Sequence, residues 1–297
     1  MNKSKNILRQ SRQRGLSLIE VMISLVIGLV VVGAVLVSYI GSGQTNRRQA
    51  AYAEMNENSQ IAFSILRREL LLAGYAQANG TQTVGGVTTF ARTYAQRAIF
   101  GCDVGFDSYN SAVNAICKAG AAEKAAIEVI YEADVSNTVS VDVAGVATPS
   151  DCLGSSLNAQ VAGSVTYYVT RNRFYLATGA TGRSELHCAS SRTPATPGQP
   201  LVDNVEDMQF WYGEANAVGS RQIARYVTAA NVADWRNILS VRVCLLMRSA
   251  ETVLTDEDTA AGTASYLDCN SAAQTSADRF VRRAYIMTTA LRNKTTL

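Results

Sequence analysis

Between Gly15 and Gly41 the chain runs LSLIEVMISLVIGLVVVGAVLVSYI, and the only charge in this stretch, Leu16–Ile40, is Glu20. As a helix rising ~1.5 Å per residue the segment reaches roughly 37 Å, enough to cross a hydrocarbon layer ~30 Å thick. Ahead of it, residues 1–15 hold Lys3, Lys5, Arg9, Arg12 and Arg14 and no acid. Positive charge is retained on the cytoplasmic side, so the arm stays inside and the body crosses the membrane. A secretory signal peptide has an apolar region of only ~7–15 residues, and this run is too long for one. A plain signal anchor fits the length but leaves Glu20 unexplained, since a carboxylate in hydrocarbon costs at least ~2–3 kcal/mol unless paired. Cleavage between Gly15 and Leu16 accounts for both features. It removes the basic arm and creates an α-amine, cationic at neutral pH with a reference pKa of ~8. Glu20 then sits four residues from a positive terminus, near the positive end of the helix dipole. In an assembly, the Leu16 amine of one subunit can neutralise Glu20 of its neighbour and set the register between packed helices.

These residues carry a resemblance. The stretch RGLSLIEVMISLVIG resembles the class III signal of type IV prepilins: a short basic leader, a glycine at the cleavage position, a glutamate as fifth mature residue, then an apolar helix. The resemblance implies a prepilin peptidase that cuts after Gly15 and N-methylates Leu16. Leu16 departs from the pattern, in which phenylalanine is usual.

Beyond the membrane-length run, Arg47–Gly74 contains no proline and no internal glycine. Ala62, Ile65, Leu66, Leu70 and Ala73 recur at helical spacing, with Arg67, Arg68 and Glu69 interleaved, so a core-facing helix is expected to continue to a stop at Gly74. Gly41 and Gly43 are its weak points. After Gly80 the texture changes to β-formers, with alternating runs at 127–131, 139–143, 165–169 with 174–176, 205–212 and 238–247. Arg171–Phe174 reads as a hairpin connection inside the third pair. The stretch 190–200 holds three of the four prolines and reads as a loop dividing the head into two sheet-bearing lobes, and 255–265 reads as another loop. The expected fold class is α+β: a long N-terminal helix, then a mostly antiparallel β head. The expected divisions are 1–15 as leader, 16–40 as transmembrane and assembly helix, 41–74 as helix continuation, and 75–297 as head.

The formal charge of +3 divides unevenly: +5 in residues 1–15, and −2 in the rest from 22 basic and 24 acidic groups. The body is therefore not a basic nucleic-acid binder. Six cysteines, Cys102, Cys117, Cys152, Cys188, Cys244 and Cys269, form no CxxC pair, and His187 is the only histidine, so zinc spacing is absent. Well-separated cysteines beyond a membrane segment point to an oxidising compartment and up to three disulfides. Six cysteines admit 15 connectivities. Sequential pairing is the one favoured, and reduced buried cysteines stay open as the alternative. His187 beside Cys188 is a weak candidate for a Cys–His dyad, since that chemistry needs a reduced thiol. Asp256, Glu257 and Asp258 are oxygen-rich enough for calcium but lack EF-hand spacing, and a solvated loop is the plainer reading. Phe210, Trp211 and Tyr212 read as a strand with alternate rings in the core, ahead of an exposed aromatic patch. No catalytic motif and no phosphate loop occurs, so neither an enzyme nor a cofactor is expected.

A second resemblance covers ENSQIAFSILRRELLLAGY, LVDNVEDMQFWYGE, ILSVRVCLLMRS and DRFVRRAYIMTTALRN, which are similar in order and spacing to blocks of PilW-type minor pilins. They resemble more weakly the J-type minor pseudopilin of type II secretion. Tyr75 is followed by Ala76 and Gln77, where many relatives have Gly-Cys. The resemblance implies a low-copy subunit that primes pilus assembly within a tip complex, with other minor pilins and the major pilin as partners. It implies an inner-membrane anchor with a periplasmic head before assembly. The alternatives are a pseudopilin of a secretion machine, an adhesin or binding module on a pilus stalk, and an anchored periplasmic enzyme.

Overall fold

The computed structural model describes Gly15 and residues 17–84, 86–92, 97–111, 113–120, 123–190, 198–217, 219–260, 262 and 264–294. The basic arm and Leu16 lie outside these residues. The chain forms two units, Met1–Gln49 and Ala50–Leu297. Helix α1, Leu18–Leu72, contributes to both. In the first unit every large apolar side chain from Leu18 to Ile40 is exposed, Leu18 and Tyr39 at 78%. A soluble helix would hide such a stripe, so this one requires an apolar surrounding. Two of its hydroxyls bond back within the helix: Ser24 donates to the Glu20 carbonyl (2.7 Å) and Thr45 to that of Gly41 (3.1 Å). Helical structure continues through Gly41 and Gly43 without local unwinding.

In the second unit α1 buries Met55, Ser59, Ala62, Phe63, Leu66, Glu69 and Leu70. This is the expected stripe, with Glu69 inside it rather than interleaved at its margin. The helix ends at Leu72, and Gly74 just beyond it closes the C-terminal turn with φ +74° and donates its N–H to the Ile130 carbonyl (2.9 Å).

The head begins with a hairpin, β1 (Ala78–Val84) and β2 (Val87–Arg92). Then come β3 (Ile99–Cys102), β4 (Ala126–Ala133), the hairpin β5 (Ser140–Val143) and β6 (Val146–Pro149), β7 (Ala159–Ala162), β8 (Val165–Thr178), β9 (Ser184–Ser190) and β10 (Gln199–Asp203). One antiparallel sheet has the order β10-β9-β8-β4-β3, with β7 on β8. Strand β8 corrects the sequence reading: Arg171–Phe174 is no hairpin connection but the middle of one fourteen-residue strand, each residue paired to β4. Period-two alternation failed there because Arg173 is fully buried against Glu128.

The chain continues as β11 (Val205–Ala215), β12 (Ile223–Val227), β13 (Ile238–Arg248), the single turn α2 (Asp256–Ala260), the short pair β14 (Ser265–Leu267) and β15 (Ala273–Thr275), and β16 (Arg282–Ala290). The second sheet has the order β12-β11-β13-β16. The change of sheet falls at Asn204, in the left-handed region at φ 61°, because β10 still pairs with β9. The expected loop at 190–200 is thus not the divider, and its residues 191–197 lie outside the described ones. Both sheets and α1 share one core, in which Phe63, Leu66 and Leu70 meet Ile127, Tyr131 and Phe174 of the first sheet and Phe210, Val243 and Leu245 of the second. The two sheet regions are therefore one body rather than separate lobes. Asp103, just past β3, accepts from the Ala229 and Ala230 amides (3.0 and 2.9 Å), linking the first sheet to the β12–β13 connection. Gly101 lies against Tyr212, whose hydroxyl oxygen would sit 1.8 Å from an added Cβ.

Candidate assembly site

Glu20 sits in the first turn of α1, exposed, with Glu20 and Val21 amides donating to the Ser17 carbonyl (3.0 and 3.2 Å). A carboxylate there faces the positive end of the helix dipole. Glu20, Ser24 and Gly28 follow at four-residue spacing on one face, flanked by Val21, Leu25, Leu29 and Val32. Through Asn46 the helix carries no other charge. Gly15 is exposed and open to solvent, with nothing near an added Cβ.

Within the second unit lie two buried polar networks that sequence reasoning missed. In the first, Glu69 accepts from Asn172 Nδ2 (2.7 Å) and from the Tyr131 hydroxyl (3.4 Å), while Asn172 Oδ1 accepts from Thr170 (2.9 Å) and the Cys152 amide (3.2 Å). Burial raises the Glu69 pKa above its ordinary value, opposed by those two hydrogen bonds and by Arg68. Burial likewise raises that of Tyr131, with the Glu69 charge adding to it.

In the second network, Arg173 donates to Glu128 Oε1 through Nε and Nη2 (2.9 and 2.8 Å) and to the carbonyls of Tyr109, Ser111 and Val113 (3.1, 2.8 and 2.6 Å). All five guanidinium donors are used. Arg97 engages the other Glu128 oxygen (2.9 Å) and the Ala115 carbonyl (3.2 Å). Desolvation pulls the Arg173 pKa down, and Glu128 opposes it. The only hint in the sequence is that charged residues interrupt an otherwise strand-like run.

Disulfides join Cys102–Cys117, Cys152–Cys188 and Cys244–Cys269, the sequential arrangement. Cys188 is thereby unavailable as a nucleophile, and the candidate dyad with His187 is overturned. His187 instead lies 3.1 Å from Glu185 and against Tyr175. Asp258 accepts from the Thr255 amide and hydroxyl (2.8 and 2.7 Å), capping α2 in what read as a plain loop. Asp256 is 3.6 Å from Arg279. No group of three or more metal-ligating side chains occurs among the described residues. Phe210 and Tyr212 are buried in the core, and Trp211 turns to the opposite face beside Cys244–Cys269.

The architecture is a long helix, apolar and exposed in its first part, followed by antiparallel sheets tied by three disulfides. Residues 173–293 match the family model described as Type IV Pilus-assembly protein W, and residues 10–36 match the prokaryotic N-terminal methylation motif. A solved structure of a type IV-like pilin from Thermus thermophilus aligns over 80% of this chain and 96% of its own, at 11% identity and a TM-score of 0.36. No curated relative matches the chain. The chain thus carries a prokaryotic N-terminal methylation motif at its start and a PilW-like region, residues 173–293, in its second half.

Proposed function

We propose that this chain is a minor pilin that primes and assembles a type IV pilus as part of a tip-located complex with other minor pilins and the major pilin. The observation that carries the proposal is the lone carboxylate, Glu20, at the start of an uncovered apolar helix within a matched methylation motif. Prepilin peptidase cuts after Gly15 and methylates Leu16. The new amine then pairs with Glu20 of the adjoining subunit, and Ser24 and Gly28 leave room on the same face for a neighbouring helix. Residues 16–40 anchor the protein in the inner membrane, with the head in the periplasm before assembly and at the pilus tip afterwards. The disulfides fit that oxidising compartment.

Mass spectrometry of the native protein is expected to find N-methyl-leucine at position 16. Glu20→Ala is expected to leave membrane insertion intact or improved. It should lower fibre counts by about tenfold or more, the change produced by each ~1.4 kcal/mol of lost association free energy. Retention of the first fifteen residues in the native protein, or normal piliation with Glu20→Ala, defeats the pairing role.

A further inference from the structure

Strand β16 closes one end of the second sheet; among the described residues no strand pairs with its other edge, and β14 packs against it through Tyr266 and Ala284. Leu291 donates to the Leu239 carbonyl and Ser249 to that of Val281, in register with the β13 pairing. Odd-numbered residues of β16 therefore direct their backbone groups toward β13. The N–H and C=O of Ala284, Ile286 and Thr288 are left on the free edge, and none has a hydrogen-bond partner among the described residues. An unguarded edge of this kind is a template for a further strand.

Beside the edge, between β16 and the last turns of α1, runs a groove of about 740 Å³. Its apolar lining includes Phe63, Leu72 and Met287, and Ile286 stands 58% exposed at its rim. The Tyr285 hydroxyl is buried there without a hydrogen-bond partner among the described residues. The charges are of one sign. Arg67 and Arg68 line the groove with no carboxylate among the lining residues, and Arg283 lies on the same strand face as Tyr285, 5.5 Å from its ring. Arg282, by contrast, is already held by Glu206 and Asp278.

We propose that this edge and groove take an extended segment of a partner polypeptide as an added strand, with apolar side chains against Phe63 and Met287 and a carboxylate set opposite Arg67 and Arg68. Main-chain pairing supplies the affinity and the arginines select acidic segments. The inference deepens the proposed assembly role by naming the kind of partner. Peptide binding is read apart from piliation, so each can fail alone.

The test uses the full chain in detergent micelles and a labelled, end-capped peptide, Val-Thr-Glu-Thr-Val-Thr-Glu-Thr-Val, whose valines and glutamates fall on one face of a strand. Controls are its lysine-for-glutamate counterpart and a version N-methylated at the central valine and both adjoining threonines, which removes the ladder donors in either strand direction. Fluorescence anisotropy is expected to show the acidic peptide binding about tenfold tighter than the lysine one, a ~1.4 kcal/mol preference that weakens with salt. The N-methylated version should lose binding, and the double variant Arg67→Glu with Arg68→Glu should reverse the preference while the protein melts as before. Amide exchange should slow at Ala284, Ile286 and Thr288 on peptide addition. The proposal is overturned by equal affinity for both charges or by binding unaffected by the arginine variant. Even-numbered amides already protected through pairing of two copies of this chain would overturn it too.

Discussion

Glu69 is an acid at the centre of an apolar helical stripe, and its environment fixes how stability responds to pH. Its pKa is raised in the folded state above the ordinary 4.5, chiefly by desolvation. Folding therefore favours the protonated form: the contribution is fully present below pH ~4.5 and is lost as pH rises through the folded value. Glu69→Gln keeps the shape, accepts from Asn172 and donates to the Tyr131 oxygen. It is expected to leave the urea midpoint near the native value at pH 4 and to raise it at pH 8, flattening the pH profile between them. A variant with an unchanged profile would show that Glu69 is not the titrating group. Nothing in the local sequence marks this residue, because Arg67 and Arg68 beside it are exposed. Only its partner Asn172, 103 positions away, tells the buried charge from the solvated ones.

Among the elements, α1 was legible over nearly its whole length, since a membrane-length apolar run and a helical stripe are both signals written in consecutive residues. The alternating runs at 127–131, 205–212 and 238–247 became β4, β11 and β13 for the same reason. Strand β8 was not legible as one element, because Arg173 owes its burial to Glu128 on β4 and to carbonyls of the loop closed by Cys102–Cys117. That loop has little regular structure of its own, and Arg173 helps pin it to the sheet alongside Arg97 and the disulfide. Removing one partner of a buried pair costs about 3–5 kcal/mol, so Arg173→Met is expected to lower stability by that amount in urea unfolding. Arg173→Lys should recover little, since three ammonium donors cannot replace a five-donor fork. Adding Glu128→Gln to Arg173→Met should restore part of the loss. If both single and double variants unfold at the native midpoint, the network is not what holds the loop.

For the molecule as a whole, the two units part at Gln49 and Ala50, whereas the sequence divides the helix at 40/41 and begins the head at 75. It did not reveal that the helix is the shared floor of both sheets, since that depends on contacts between segments far apart in the chain. This difference predicts how the protein can be divided. A chain starting at Ala50 keeps Met55, Ala62, Phe63, Leu66 and Leu70, all buried in the common core. It is expected to be soluble in oxidising buffer and to unfold cooperatively in near-ultraviolet circular dichroism. A chain starting at Tyr75 loses all five. At roughly 1.5–3 kcal/mol for each large buried side chain, the loss is comparable with the ~5–15 kcal/mol that holds a typical domain folded, so this shorter chain should not form a packed head. The disulfides span 15, 36 and 25 positions, and loops of that size contribute on the order of 3–4 kcal/mol each. Reductant should therefore lower the melting temperature of the Ala50 chain sharply and leave the Tyr75 chain, already unfolded, unchanged. A Tyr75 chain that folds as well as the longer one would mean that the sheets carry the core alone, and that α1 serves only as an anchor.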